Sequence, residues 1–202
     1  MPAFTENWFD WHIPQWERFF ADLGWTPDTP RVAVEIGSFE GRSAIWLLRN
    51  PLRHPGSRLF CIDTFEGGAE HGPGQTGGLF DRFRANLADA GVAGRAETLR
   101  GPSFEGLLDL LGRGVAADLV YVDGSHEAPD VLADLVLSFR LLRPGGVIIC
   151  DDYWWSRGPD AGHDILASPK LAIDAFTNIY RRRLDFPGEL HRWQIAMRKP
   201  AR

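Results

Sequence analysis

From residue 31 onward, short apolar runs alternate with stretches whose apolar residues recur at helical spacing. RVAVEI (31–36), SRLFCI (57–62), RAETLR (95–100), DLVYV (118–122) and GVIIC (146–150) read as strands. The first four lead into helical patterns over about Ser43–Asn50, 79–90, 103–112 and 128–142. Before the fifth run stands RPGG, where Pro144 and two glycines stop the preceding helix. Strands alternating with helices predict right-handed crossovers and a mostly parallel sheet covered on both faces. A last helix is expected near 169–182 and a strand near 191–198 (HRWQIAMR). That strand alternates, with Trp193, Ile195 and Met197 on one side, and suits antiparallel pairing at or near the sheet edge.

Residues 1–30 have a different character. Phe4, Trp8, Phe9, Trp11, Trp16, Phe19, Phe20 and Trp25 crowd this stretch, and Trp16, Phe19, Phe20 and Leu23 fit one helix face. The chain thus divides into an N-terminal helical extension (1–30) and a main domain (31–202). The extension is read as a helix packed on the sheet, a substrate lid, or a surface for self-association into a homo-oligomer. Residues 66–78 (EGGAEHGPGQTGG) hold six glycines and read as a loop or lid.

The stretch VAVEIGSFEGRSAIWLL (Val32–Leu48) carries the first chemistry. In a doubly wound sheet, ligands bind beyond the carboxyl ends of the strands. Gly37 and Gly41 permit tight turning and close backbone approach there. The following helix offers free N–H groups. The pattern is not the GxGxxG of a dinucleotide site, and Glu35 at its mouth would repel a pyrophosphate. A glycine-lined acidic turn suits a cationic ligand such as S-adenosyl-L-methionine (SAM), with its sulfonium and ammonium groups. LFCIDTF places Asp63 at the end of the second strand, where a carboxylate accepts the ribose hydroxyls of an adenosine.

Taken in order, VEIGSFEGRSA, CIDTFEGG, YVDGSHEAPDVLADL and LLRPGGVIICDDY resemble the class I SAM-dependent methyltransferases. Within them, the chain is similar to the family of small-molecule and sugar O-methyltransferases of macrolide tailoring. The resemblance covers most of residues 31–199. It implies a seven-stranded Rossmann-like α/β sheet whose last strand is antiparallel. It also implies that Glu35, Gly37 and Gly41 line the methionine moiety, Asp63 the ribose, and Ser103 the adenine. Ser38, Phe39, Ser43, Thr64 and Asp123 complete the expected cofactor contacts.

Asp123 ends the fourth strand (YVDGSH), and Asp151 and Asp152 follow the fifth (IICDDY). Neighbouring strand ends bring these carboxylates together, and they repel unless a cation or shared protons relieve them. Hard divalent ions such as Mg²⁺ prefer such oxygen ligands. The arrangement resembles that of catechol O-methyltransferase, which implies a metal held by Asp123, Asp151 and Asp152. Methyl transfer to oxygen needs an alkoxide-like nucleophile, so a metal and a nearby base both help. His126, three positions after Asp123, stands where that resemblance puts the base; its imidazole suits proton abstraction near neutral pH, or metal binding. Asp123 and His126 are therefore the expected catalytic residues. Tyr153, Trp154 and Trp155 are expected over the acceptor, with His71 and His163 beside the same opening.

Composition narrows the partners. The 202 residues are 44% hydrophobic and 24% charged, with a formal net charge of -5. That balance argues against nucleic acid and an anionic membrane, both of which reward a basic surface. Arg181, Arg182 and Arg183 form the one basic run, read as a solvated helix face or an anion site. No apolar stretch approaches the roughly 18 residues of a membrane span. MPAFTENWFDWHIPQW lacks the basic start and apolar core of a signal peptide. Cys61 and Cys150 each end an apolar run, which suits reduced, buried thiols and a cytoplasmic home. No zinc spacing, GxSxG elbow or P-loop is present. The leading expectation is methyl transfer from SAM to a hydroxyl of a small-molecule acceptor (sugar, polyketide or phenolic), with Mg²⁺. Three alternatives stay open: a metal-independent SAM methyltransferase, an oxidoreductase resembling the cephalosporin hydroxylases through the DGSH segment, and a non-catalytic SAM-binding protein.

Overall fold

A computed structural model describes residues 1–68, 76–157, 164–188, 190 and 193–201. Among the described residues six strands are formed: β1 (Val32–Ile36), β2 (Arg58–Asp63), β3 (Ala96–Arg100), β4 (Ala117–Val122), β5 (Leu142–Cys150) and β6 (Ile195–Arg198). The same residues form six α-helices: α1 (Ile13–Asp22), α2 (Arg42–Arg49), α3 (Leu79–Asp89), α4 (Ser103–Gly112), α5 (Ala128–Leu141) and α6 (Pro169–Tyr180). The strand order is β3-β2-β1-β4-β5-β6, parallel except for β6. The architecture is an α/β Rossmann-like fold. Order reverses between β1 and β4, so the carboxyl ends of these two strands flank the crevice where such sheets bind ligands.

Central strands here are apolar on both faces because both faces are covered. Along β1, β2, β4 and β5, alternate residues enter two cores. Ala33, Leu59, Cys61, Leu119, Tyr121, Val147 and Ile149 pack with α1, α2 and α3. Val34, Ile36, Phe60, Ile62, Val120, Val122, Ile148 and Cys150 pack with α4, α5 and α6. Both cysteines are buried free thiols. Among the described residues, no helix is long and apolar enough to cross a membrane.

Two boundaries differ from expectation. The expected seventh strand is not formed among the described residues. A single bridge, Asp185 with Arg198, lies on the outer side of β6. Phe186, Pro187 and Gly188 follow it, and a proline has no N–H to extend a ladder. At the other boundary, β5 begins at Leu142 rather than after RPGG. Pairing with β4 shifts register between Ala117 and Leu119, and Gly145 takes φ +83°, so these residues bulge within the strand.

The aromatic extension packs on the sheet. Trp16 is fully buried and meets Tyr121 edge-on at 4.9 Å between ring centres. Phe9, Phe20 and Trp46 surround it. The chain before α1 is strapped to α2 and α3 by buried polar groups. Glu40 accepts from the Thr5 amide (2.7 Å), the Thr5 hydroxyl (3.0 Å) and Arg82 Nε (2.8 Å). Asn86 exchanges hydrogen bonds with the Ala3 backbone, and Arg42 pairs with Asp10. This strap lays Trp8 against Phe39, 4.9 Å between ring centres.

Candidate active site

The turn from β1 to α2 is built around three glycine-like conformations. Gly37 has φ +83°, and a Cβ on it would lie 1.9 Å from the Asp123 carbonyl oxygen. Phe39 takes φ +44°, a region that L residues rarely adopt, and Gly41 (φ +83°) caps α2. The Asp63 carboxylate holds the turn open. Its Oδ2 accepts the Ser38 and Phe39 amides at 2.8 Å each, and its Oδ1 accepts the Phe65 amide at 2.6 Å. Such backbone amides gathered on one carboxylate are strong, charge-assisted bonds.

Glu35 lies beneath this turn. It is fully buried and accepts the Ser38 hydroxyl (2.6 Å) and the Ser43 hydroxyl (2.7 Å). Burial pushes its carboxyl up to about 7, a rise the two serines partly offset. The expected ligand-facing carboxylate is therefore a brace under the turn. Glu35, Ser38, Gly41 and Ser43 do not line the cavity that opens above it. Gly37, Phe39, Asp63, Thr64, Ser103, Asp123, His126, Asp151 and Asp152 do, in one cavity of about 1030 Å³.

The acids from β4 and β5 converge as expected. Tyr121, at the end of β4, places its hydroxyl 2.9 Å from Asp123 Oδ2 and in hydrogen-bond contact with Asp151 Oδ2. A phenol has one hydrogen to donate. Both contacts are hydrogen bonds only when one carboxyl carries a proton. Burial, then the charges of Asp151 and Asp152, hold Asp123 well above the usual carboxylate range. Asp151 is raised to about 6, first by burial and then by Asp152. The Gln194 amide donates to Asp151 Oδ2 (2.8 Å) and the Asp152 amide to Asp151 Oδ1 (2.8 Å). Gln194 in turn accepts the Trp16 indole N–H at 2.7 Å. His12, also buried, lies 3.6 Å from the same Asp151 oxygen.

The trio is not seen as a preformed metal centre. No group of three His, Cys, Asp or Glu among the described residues is arranged to hold a metal ion. The physical reason is Asp151, which is turned inward and committed to Tyr121, Gln194 and its neighbour's amide. Asp152, at φ +55°, faces the cavity and meets His126 Nε2 at 2.9 Å. The His126 ring stacks on Trp155 at 3.8 Å. A carboxylate against one ring nitrogen fixes the orientation of the imidazole.

The aromatic run after the acids divides. Trp155 lines the cavity, but the Tyr153 hydroxyl turns to Asp174 (2.8 Å), and Trp154 is half exposed away from the cavity wall. Trp8, Trp11 and Trp193 supply the other large aromatic surfaces of the cavity. His71 and His163 lie outside the described residues. Sequence reasoning missed Tyr121, Gln194, His12 and Asp134. Tyr121 reads as ordinary strand core. Asp134 carried a usable signal, since it sits on the apolar stripe of α5 with Val131, Leu135 and Ser138.

Residues 34–153 match the family described as a methyltransferase domain. The chain belongs to that family. This methyltransferase domain is 34% identical over 159 residues to the catechol O-methyltransferase of Mycobacterium tuberculosis (strain ATCC 25618 / H37Rv), covering 79% of this chain and 60% of that protein. It spans 60% or less of the length of the curated relatives it matches. Among solved structures it is similar to the O-methyltransferase TomG from Streptomyces achromogenes in complex with SAM. The TM-score is 0.66 at 23% identity, covering 94% of this chain and 80% of that one. The O-methyltransferase from Bacillus cereus in complex with SAH gives a TM-score of 0.65 at 20% identity, covering 98% and 84%. These likenesses extend the fold across nearly the whole methyltransferase domain.

Proposed function

We propose that this chain is a SAM-dependent O-methyltransferase acting on a hydroxyl of a small molecule. The observation that carries the reading is one cavity shared by two chemistries. One side is the turn of Gly37, Phe39 and Asp63; the other is the cluster of Asp123, His126 and Asp152. When bound, SAM supplies an electrophilic methyl group on its sulfonium. The turn fits that guest: Asp63 lines the cavity and, after accepting three amides, keeps one lone-pair site on Oδ1 for a ribose hydroxyl. Ser103 at the head of α4 serves the adenine. Gly37 serves the methionine end through its backbone, with Glu35, Ser38, Gly41 and Ser43 holding the turn.

His126 takes the acceptor's hydroxyl proton and stores it as imidazolium against Asp152. Trp8, Trp11, Trp155 and Trp193 give a flat, apolar wall that suits ring-bearing acceptors such as sugars, polyketides or phenols. The donor set fits a hard divalent cation. Mg²⁺ commonly takes one or two carboxylates and keeps its waters. Asp123 and Asp152 would hold it, with Asp151 behind them, and it would lower the pKa of an acceptor hydroxyl. A metal-free reading is favoured by a separate observation, the commitment of Asp151 to Tyr121 and Gln194. His126 is then the sole base.

Calorimetry with SAM tests the reading. Micromolar binding supports it, and absence of binding at high micromolar SAM overturns it. Repeating turnover with a screen of hydroxylated aromatic and sugar acceptors, with and without a chelator, separates the two mechanisms. Turnover lost to the chelator and restored by Mg²⁺ selects the metal.

A further inference from the structure

Of the three clustered acids, Asp151 meets the most hydrogen-bonding groups. Its Oδ1 accepts the Asp152 amide at 2.8 Å. Its Oδ2 accepts the Gln194 amide at 2.8 Å and also contacts the Tyr121 hydroxyl. A carboxylate offers about four lone-pair sites, so three of those at Asp151 face groups of this chain. Asp123 and Asp152 each have one side-chain contact of this kind among the described residues, with Tyr121 and His126. The Gln194 amide has its direction imposed on it. An indole N–H only donates. The Trp16 N–H takes Gln194 Oε1 at 2.7 Å, so Nε2 is the end left for Asp151. Trp16, Tyr121 and Gln194 are all buried, and the Trp16 and Tyr121 rings meet edge-on. Neither Tyr121 nor Gln194 lines the cavity, so both reach Asp151 from the core side.

We propose that Tyr121 and Gln194 are positioning residues that withhold Asp151 from divalent cations and leave His126 to take the acceptor's proton without one. The inference rests on the reading above, in which the acid cluster is the reaction centre, and it chooses between the two mechanisms given there. Two features of the geometry carry it. The atom that joins Asp123 Oδ2 to Asp151 Oδ2 is the Tyr121 phenol oxygen, so a cation held by both of these oxygens would have to displace it. The second feature is that neither oxygen of Asp151 is bare. A hard cation seeks carboxylate lone pairs. At Asp151 it meets N–H groups already directed at Oδ1 and Oδ2, whose partial positive charges oppose it. Their hydrogen bonds are buried, where water does not replace a lost partner, so giving them up is costly. Groups behind a metal ligand usually do the opposite: they orient the ligand and raise its affinity. They can do so when they leave the ligating atom open. Tyr121 and Gln194 both occupy Oδ2, and the Asp152 amide occupies Oδ1.

The test is Mn²⁺ binding to the full chain, followed by the electron paramagnetic resonance signal of the free ion. Wild-type protein is expected to bind Mn²⁺ only at millimolar concentration. Tyr121→Phe keeps the ring against Trp16 and removes the hydroxyl, and Gln194→Leu removes the amide. Each variant is expected to bind Mn²⁺ about tenfold more tightly than wild type, or better. Adding Asp151→Asn to Tyr121→Phe is expected to abolish the gain, because the released ligand is then lost. Should Gln194→Leu fail to fold, Tyr121→Phe carries the test alone. Side chains with a merely structural role would lower Tm and leave Mn²⁺ binding no tighter. Supporting groups behind a metal ligand would make the variants bind it more weakly. Either result overturns the proposal. So does micromolar Mn²⁺ binding by wild-type protein, or a gain that survives Asp151→Asn. Calorimetry with S-adenosyl-L-homocysteine on the same wild-type sample tests the SAM reading separately, and failure to bind overturns that reading.

Discussion

Gly37 and Asp123 touch across the carboxyl ends of β1 and β4, so closely that one methyl group cannot be placed between them. The Cβ of an alanine at 37 would stand 1.9 Å from the Asp123 carbonyl oxygen, and φ there is +83°. Both effects oppose Gly37→Ala. A left-handed alanine costs about 1 kcal/mol or more, and forcing β1 and β4 apart adds to it. We expect a loss of about 3 kcal/mol, which for a domain of this size lowers Tm by about 6–12 °C. Thermal unfolding measures it. A Tm within about 2 °C of wild type would show that the strand ends can part freely.

His126 and Asp152 meet at 2.9 Å on the cavity wall. If the ring is the base, His126→Ala lowers kcat by about 10²–10⁴-fold. Affinity for S-adenosyl-L-homocysteine stays within about threefold, because the residues expected to hold the nucleoside lie elsewhere on the wall. Single-turnover methyl transfer together with calorimetry separates the two effects. Unchanged turnover would remove His126 from the mechanism.

Glu35 and Asp134 are buried acids whose pKa values are raised to about 7. In the unfolded chain both ionise near their ordinary values, 4.5 for Glu35 and 3.8 for Asp134. Between those values and pH 7 the native state binds more protons than the unfolded state. Stability therefore falls as pH rises through that window and levels off above it. For Glu35 the whole change is about 3 kcal/mol. Glu35→Gln keeps an acceptor for the Ser38 or Ser43 hydroxyl and removes the charge. Urea unfolding from pH 4.5 to 8 should show a flatter profile for the variant, with its advantage over wild type greatest at pH 8. A variant slope equal to wild type would mean that Glu35 ionises in the native state as readily as in the unfolded one.

The same residues show what could be read before the fold was known. The strands, the helices and the turn of Gly37 follow from local pattern, because apolar periodicity and glycine act over a few residues. The meeting of Asp123 with Asp151 also follows, since parallel neighbours put their carboxyl ends together. The direction of each side chain does not. Glu35 alternates onto the face covered by α2, where Ser38 and Ser43 await it, so it braces the turn from below. Asp151 is drawn inward by Gln194, which lies 43 residues later and is itself held by Trp16. No local spacing encodes a contact of that range. The absence of a seventh strand among the described residues has a nearer cause, the Pro187–Gly188 pair that follows the single bridge at Asp185.

Gln194 links the N-terminal helix to the acid cluster. Its Oε1 accepts the Trp16 indole, and its Nε2 donates to Asp151. All three side chains are buried, so removing the amide leaves the indole N–H unpaired and takes one of two donors from Asp151 Oδ2, which keeps Tyr121. Gln194→Leu should therefore cost about 2–3 kcal/mol in urea unfolding. Trp16→Phe removes one of the two bonds and part of the ring, and it leaves Gln194 Oε1 without its donor. In the double variant that penalty is already gone. The combined loss should fall short of the sum of the single losses by about 0.5 kcal/mol or more. Strict additivity would mean that the indole and the amide act independently, and that the extension reaches the acid cluster by packing alone.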